Sequence, residues 1–123
     1  MGYESKVYLV EDSGMKIMPG EKKIYSSVVA VFNLGNMGDG PFEELFTKAH
    51  VASCYFYLDD GNTQAVEDRY GEELKEVSID ELLAALEKET ETCREEHLLI
   101  ATLKAIGQNK DCWKNIKAIR YGY

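Results

Sequence analysis

The chain has 123 residues, 45% of them hydrophobic, which is enough for one domain, residues 1–123, to bury a core. The net charge of −8 is unevenly spread, because residues 59–96 hold 14 acidic and 4 basic side chains whereas residues 97–123 hold 1 acidic and 5 basic. A strongly acidic middle repels phosphate and argues against direct nucleic-acid binding. A partner with a basic surface or a neutral small ligand fits better, although acidity also keeps a small cytosolic protein dissolved.

The sequence contains no stretch that looks like a targeting or membrane segment. Lys6 interrupts the apolar run near the N-terminus, and no run approaches the roughly eighteen apolar residues that span a bilayer. Cys54, Cys93 and Cys112 are far apart and form no C-x-x-C pair, which predicts free thiols in a reducing compartment. We expect a cytoplasmic protein with no cofactor and no membrane association.

Residues suited to a catalytic or metal site are few. His50 and His97 were candidates to join Cys54 or Cys93 in a metal site or a Cys-His nucleophile pair, since a thiolate needs a base or a cation beside it. Their spacing matches no such motif. The sequence therefore predicts no catalytic residue and no metal ligand.

The first half of the chain predicts two strands and a short helix. Residues 7–10 and 24–32 are rich in β-branched and aromatic side chains, and the longer second run is expected to form the core of the sheet. Residues 11–23 contain two glycines and a proline and predict a loop or a long hairpin connection. A helix is expected over residues 41–49, because Pro41 suits the first helical position.

Residues 33–40, before this helix, contain three glycines and are a candidate phosphate-binding loop, because bare amides ahead of a helix can hold an anion. No Lys-Ser or Lys-Thr pair follows them, and Glu43 and Glu44 would repel a bound phosphate. An ordinary strand-to-helix loop is the better interpretation.

Residues 54–71 predict a hairpin. An apolar run suited to a strand is followed by an Asp-Gly pair typical of a two-residue turn, and this register places Phe56 opposite Ala65. A second turn and a third strand at residues 74–77 would complete a three-stranded meander.

Ser78 and Glu81 form a capping box that marks the start of the C-terminal helix. Continued to Ile106, that helix would have 28 residues and a length of about 42 Å. A domain of this size has a radius of gyration near 14 Å. We therefore expect a bend or a break in the polar segment 87–92.

The basic tail, residues 111–123, predicts a short terminal strand ending near Tyr121. Lys114, Lys117 and Arg120 are expected to pair with the acidic middle of the same chain or of a neighbour. An exposed terminal strand is a common dimerisation edge, which favours a homodimer. The predicted fold is α+β, a mainly antiparallel sheet of about five strands packed by a short helix and one long or broken C-terminal helix.

Acidic residues gather at one end of the predicted meander. Clustered carboxylates attract Mg²⁺ or Ca²⁺, yet the spacing matches no EF-hand loop, and Asp is common in tight turns because it bonds its own main chain. We therefore predict a protein-binding surface instead of a metal site. Its expected residues are seven carboxylates and one aromatic anchor: Asp59, Asp60, Glu67, Asp68, Tyr70, Glu72, Glu73 and Glu76.

Three stretches carry a resemblance to known proteins: GYESKVYLVE at residues 2–11, YFYLDDGNTQAVEDRYG at residues 55–71 and IRYGY at residues 119–123. Together they resemble small uncharacterised proteins carried by phages and prophages of Gram-positive bacteria. The resemblance implies an accessory protein, one that counters host defence. Its motifs are structural in kind, so it assigns no catalytic residue.

The function expected from these observations is that of a non-enzymatic inhibitor whose acidic surface binds a basic host protein. One alternative is a binding or sequestering protein for a nucleotide signal, with tyrosines stacking the base and Arg69, Arg94 or Arg120 holding phosphate. Two further alternatives are a small metal- or Cys-dependent enzyme and a structural phage component.

Overall fold

The computed structural model of the chain describes residues 4–16, 24–37, 40–58, 61, 64–89 and 94–123. The helices and strands of this part of the chain are, in sequence order, β1 (Ser5–Lys16), β2 (Ile24–Gly35), α1 (Pro41–Thr47), β3 (His50–Val51), β4 (Cys54–Tyr57), β5 (Gln64–Ala65), β6 (Lys75–Ser78), α2 (Ile79–Glu87), α3 (Arg94–Gln108) and β7 (Ile116–Gly122). The α+β class is confirmed. The described residues contain seven strands, more than the five or so expected, and two of them, β3 and β5, are only two residues long. Of the helices described, none has the length and apolar character needed to cross a membrane.

The strands form one curled sheet in the order β3-β6-β7-β1-β2-β4-β5. Every described pair of neighbours is antiparallel except β2 and β4, which run parallel through Ile24↔Cys54 and Tyr25↔Tyr55. The prediction of a mainly antiparallel sheet is confirmed. The expected terminal strand is β7, but it lies between β6 and β1. It therefore has no open edge, and the reason given for a homodimer fails.

Strand β1 lies at the centre of the core. Val7 and Leu9 belong to the cluster that includes the helices, whereas Tyr8 and Val10 belong to a second cluster made of sheet and loop residues, where the rings of Tyr8 and Phe56 are 4.8 Å apart. The expectation that β2 is a central strand is confirmed, because it lies between β1 and β4 and its Phe32 and Leu34 belong to the first cluster. The middle of β2 is nevertheless partly exposed. Of the two alternatives for residues 11–23, the hairpin connection is confirmed, since β1 and β2 pair antiparallel up to Lys16↔Ile24. Its bounds are corrected, because residues 11–16 belong to β1, and residues 17–23 lie outside the described residues.

The predicted hairpin is confirmed by β4 and β5, with Phe56 opposite Ala65 as expected. Near its tip the amide of Gly61 donates to the carbonyl of Leu58 at 2.8 Å. The three-stranded meander is wrong. Strand β6 pairs with β7 and β3. Within residues 64–74, the only β-bridge between the chain that follows β5 and the chain that precedes β6 is the isolated bridge Glu67↔Glu73.

Helix α1 begins at Pro41 as predicted. In its first turn the amide of Phe42 donates to the carboxylate of Glu89 at 2.9 Å, and the same carboxylate lies 3.1 Å from the position of a Cβ at Gly40. Glu89 follows α2 in the sequence and ties the two helices together. A carboxylate of the chain itself thus lies where a phosphate-binding loop would hold its anion.

The C-terminal helix, predicted to be either one long helix or a broken one, is broken. Helix α2 begins at the predicted capping box, in which Ser78 Oγ accepts from the amide of Glu81 at 3.1 Å and Glu81 Oε1 accepts from the amide of Ser78 at 3.3 Å. It ends at Glu87, and α3 begins at Arg94. The break lies in the polar segment where it was expected.

Candidate functional site

Residues 67–73, called the acidic turn from here on, connect β5 to β6 in a fixed conformation. The Oδ1 atom of Asp68 accepts from the amides of Tyr70 at 2.8 Å and Glu72 at 3.0 Å. The amide of Asp68 donates to the carbonyl of Glu72 at 2.8 Å. Gly71 has a φ of 80°, a left-handed conformation that glycine adopts without a steric penalty. The shape of the turn is therefore set by its own hydrogen bonds.

One further contact attaches the acidic turn to the sheet, and another lies within the turn. The amide of Arg69 donates to the carbonyl of Gly122 at 3.0 Å, which places the turn at the C-terminal end of β7. The bridge between Glu67 and Glu73 sets two carboxylates opposite each other across an antiparallel pair. Like charges directly opposite each other destabilise a sheet. A basic group placed between them would relieve this repulsion.

Four of the eight predicted binding residues lie on the exposed surface of the acidic turn. Glu67, Glu72 and Glu73 are exposed, and Tyr70 is 56% exposed. Within the described part of the chain, none of these three carboxylates forms an ion pair. The turn thus presents an aromatic side chain surrounded by carboxylates that are open to a partner.

The other four predicted residues are placed differently. Asp59 and Asp60 lie outside the described residues. Asp68 is only 8% exposed, and its carboxylate accepts hydrogen bonds from two amides of the turn. Glu76 accepts from the amide of Ser53 at 2.8 Å and from its hydroxyl at 3.0 Å. Two of the predicted residues are therefore built into the fold.

Glu76 also pairs with Lys117 of β7, with 2.8 Å between Nζ and Oε2. Burial alone would raise the pKa of Glu76, but the hydrogen bonds from Lys117 and Ser53 outweigh it and hold that pKa below its usual value. The hydrogen bond to Glu76 raises the pKa of Lys117. This pair confirms, for Lys117 alone, the prediction that the basic tail pairs with the acidic middle of its own chain. Arg120 pairs instead with Glu43 of α1, and Lys114 forms no ion pair among the described residues.

A groove of about 470 Å³, called the acidic groove, opens beside the turn. Its lining combines two residues of the turn with side chains of α1, β6 and β7: Glu43, Phe46, Thr47, Glu72, Glu73, Lys75 and Arg120. The guanidinium of Arg120 pairs with Glu43, with Nη1 2.6 Å from Oε2, and lies 5.8 Å from the ring centre of Phe42. The groove thus already accommodates one guanidinium between a carboxylate and an aromatic ring.

The contribution of α1 to this groove was not predicted from the sequence. Glu43 was noted only as a first-turn carboxylate of a helix, and nothing near it in the sequence points to β6 or β7. The opposite charges of Glu43 and Arg120 are compatible with a contact, but the sequence contains many other pairs of opposite charge at a similar distance along the chain. Tertiary packing decides which of them meet.

Within the described part of the chain, the residues considered for nucleophilic or metal chemistry do not form a metal-binding group. Cys54 is 3% exposed, and burial raises the pKa of its thiol despite a hydrogen bond with Ser26 that lowers it. A buried thiol with a raised pKa is a poor nucleophile. His50 is exposed, and Cys93 lies outside the described residues. Among the described residues, no three His, Cys, Asp or Glu side chains are grouped so as to hold a metal ion.

The residues considered for a nucleotide ligand are also separated. Only Arg120 of the three arginines lines the acidic groove, where it pairs with Glu43. The side chain of Arg94, at the start of α3, is 94% exposed. The rings of Tyr55 and Tyr57 lie 6.3 Å apart on β4, and both contact the ring of Tyr25.

No protein-family model matches the chain, and neither a search of curated proteins nor a search of solved structures gives a match.

Proposed function

We propose that the protein is a non-enzymatic accessory protein that binds another protein through the acidic turn. In this proposal Tyr70 is the anchor, and Glu67, Glu72 and Glu73 bind a basic surface of the partner. The observation that carries the proposal is the combination of an exposed tyrosine, three carboxylates without an ion pair in the described chain, and a turn held in place by Asp68.

The physical argument has two steps. Aromatic residues contribute much of the energy of protein interfaces, and surrounding charges raise the association rate through electrostatic attraction. A turn that is already ordered loses little conformational entropy when it binds. Tyr70 and its neighbours therefore suit a contact that is both fast and specific.

The resemblance to phage and prophage proteins supports a host protein as the partner. A host protein that binds nucleic acid has a basic cleft, and an acidic surface can compete for such a cleft by imitating phosphate charge. We place this inhibition in the host cytoplasm, where the cysteines stay reduced.

A nucleotide ligand is the alternative, and the placement of the arginines supports it less. Arg120 already pairs with Glu43, and the side chain of Arg94, at the start of α3, is 94% exposed. Thermal-shift measurements with nucleotides separate the two proposals, because a ligand that binds the folded state raises the melting temperature.

The direct test is capture of partners from a bacterial lysate by the immobilised full chain at low salt. The variants Glu73→Lys and Tyr70→Ala should lose the captured protein, whereas Glu87→Lys, which reverses an exposed charge at the end of α2, should keep it. Raising the ionic strength to about 1 M, where the Debye length is about 3 Å, should release it. The proposal is abandoned if no basic protein is captured at low salt, or if Glu73→Lys captures as much as Glu87→Lys.

A further inference from the structure

A second groove, of about 430 Å³, lies between the start of α2 and the end of α3. Its lining joins the buried side chains of Ile79, Ile106 and Ile116 to Trp113, which is 42% exposed, and to the exposed lysines 110 and 114. We call it the basic groove. An apolar floor beside a partly exposed indole is suited to an aromatic or apolar side chain from another molecule.

The two lysines of this groove, Lys110 just before the basic tail and Lys114 within it, keep their charge exposed. Lys117 pairs with Glu76 and Arg120 pairs with Glu43, whereas within the described residues Lys110 and Lys114 form no ion pair. One carboxylate, Asp80, also lines the groove, so its lining keeps a net positive charge. The groove therefore favours a ligand with negative charge.

The two surfaces lie at opposite ends of the same strand. The acidic turn is bonded to Gly122 through Arg69, and the basic groove contains Ile116, the first residue of β7. The six steps between Ile116 and Gly122 span about 20 Å at 3.3 Å per residue. A chain cannot place its own acidic turn in its own basic groove, but two chains arranged head to tail can bring these surfaces together.

We propose that the acidic turn of a second copy of this chain docks in the basic groove. Tyr70 of the one copy contacts Trp113 and the apolar floor, and Glu72 and Glu73 pair with Lys110 and Lys114. The acidic turn and the basic groove carry opposite charges, and the exposed tyrosine of the turn suits the apolar floor of the groove. These two features favour a second copy of the chain as the occupant. Such a contact uses two different surfaces, so it builds rings or open chains instead of a closed two-fold dimer.

The contact would also control the proposed binding function. A copy whose acidic turn is docked in a neighbour cannot present Tyr70 to a host protein. The amount of free turn would then fall as the protein concentration rises, and a partner would compete with self-association.

Sedimentation velocity over a range of concentrations tests this contact, together with tryptophan emission, which reports on the groove because Trp113 is the only tryptophan of the chain. Wild type should associate, with a change in emission at the same concentrations. Lys110→Glu/Lys114→Glu and Glu72→Lys/Glu73→Lys should each weaken association about tenfold or more. Combining all four substitutions in one chain restores opposite charges and should restore association.

The exposed Lys104 of α3 lies outside the groove, so Lys104→Glu is the matched control and should associate like wild type. Tyr70→Ala is a second variant that leaves the charges intact and should also weaken association. The proposal is overturned if wild type stays monomeric, if the lysine variants associate like wild type, or if the combined variant does not recover. Circular dichroism shows whether each variant is folded.

Partner capture by Lys110→Glu/Lys114→Glu separates this inference from the proposed function. This variant keeps the acidic turn, so it should capture a host protein at least as well as wild type while remaining monomeric. Capture by this variant with no self-association of wild type would refute the docking alone. Self-association without any capture would refute the proposed function alone.

Discussion

Replacing Asp68 distinguishes a residue that organises the acidic turn from one that contacts a partner. Asp68→Ala removes the acceptor of the Tyr70 and Glu72 amides, whereas Asp68→Asn keeps an oxygen acceptor and removes the charge. If Asp68 acts by holding the turn, the two variants should differ in both stability and partner capture. If its charge contacts the partner, they should lose capture equally.

The magnitude follows from the two hydrogen bonds. Each bond to a charged group contributes about 1.5–3 kcal/mol, but both amides belong to an exposed turn, where water replaces part of the loss. An aspartate that caps a helix in the same way contributes about 0.5–2 kcal/mol. We therefore expect Asp68→Ala to lower the free energy of unfolding by about 2 kcal/mol and Asp68→Asn by less than about 1 kcal/mol. For a chain of this length, about 2 kcal/mol lowers the melting temperature by about 6–10 °C.

Urea denaturation followed by circular dichroism measures the stability of both variants, and the lysate assay measures capture. Asp68→Asn should capture nearly as much as wild type, and Asp68→Ala should capture as little as Tyr70→Ala. An Asp68→Ala variant as stable as wild type would refute the role of the two hydrogen bonds. Loss of capture by a fully stable Asp68→Asn would refute the distinction between organising and contacting residues.

Two further predictions concern stability. Glu76→Gln should lower the free energy of unfolding by about 1 kcal/mol at neutral pH, because it breaks a partly exposed pair with Lys117. The pKa of Glu76 is depressed in the folded state, so this difference from wild type is present above its unfolded value and vanishes as pH falls through the folded one. A denaturation series from neutral to acidic pH measures it, with Glu87→Gln as the exposed control, and a difference that stays constant would contradict the assignment. Gly71→Ala should cost about 1 kcal/mol through its left-handed backbone alone, since no atom lies within 4 Å of the added Cβ. The same change at Gly107, in open space within α3, should instead raise the melting temperature.

The features predicted correctly from the sequence are those whose causes lie within a few residues. The capping box of Ser78 and Glu81, the proline that opens α1 and the register of Phe56 with Ala65 each depend on neighbours in the chain. The break before α3 followed from length alone, because a straight helix would have extended beyond the domain. Local chemistry and size were sufficient for these elements.

The pairing of β6 could not be predicted in the same way. Alternation over residues 74–77 indicates a strand, but it does not indicate which strand is its neighbour. The second turn forms a single bridge, between Glu67 and Glu73, and β6 then pairs with β7, whose partner residues lie 39 to 45 positions later in the chain. Adjacent strands in a sequence often pair, and here that tendency led to the wrong meander.

The candidate site shows the same limit, since a count of charges does not separate carboxylates that hold the fold from those that face solvent. Glu89 accepts from Phe42, 47 positions earlier, and Glu76 accepts from Ser53, 23 positions earlier. Glu81, in its capping box, and Asp68, in a tight turn, had a local signature of their structural role. The partners of the others become visible only when the chain is folded.

The carboxylates that hold the fold differ in role from the exposed ones of the acidic turn. Those of Asp68, Glu76 and Glu89 each compensate hydrogen-bond donors that the fold would otherwise leave without an acceptor. Glu67 and Glu73 do the opposite, because they face each other across a bridge and repel. Such a pair, next to an exposed tyrosine and on a turn held by its own hydrogen bonds, supports the proposed binding of a cationic group. Charge for solubility alone would serve equally well if it were dispersed over the surface.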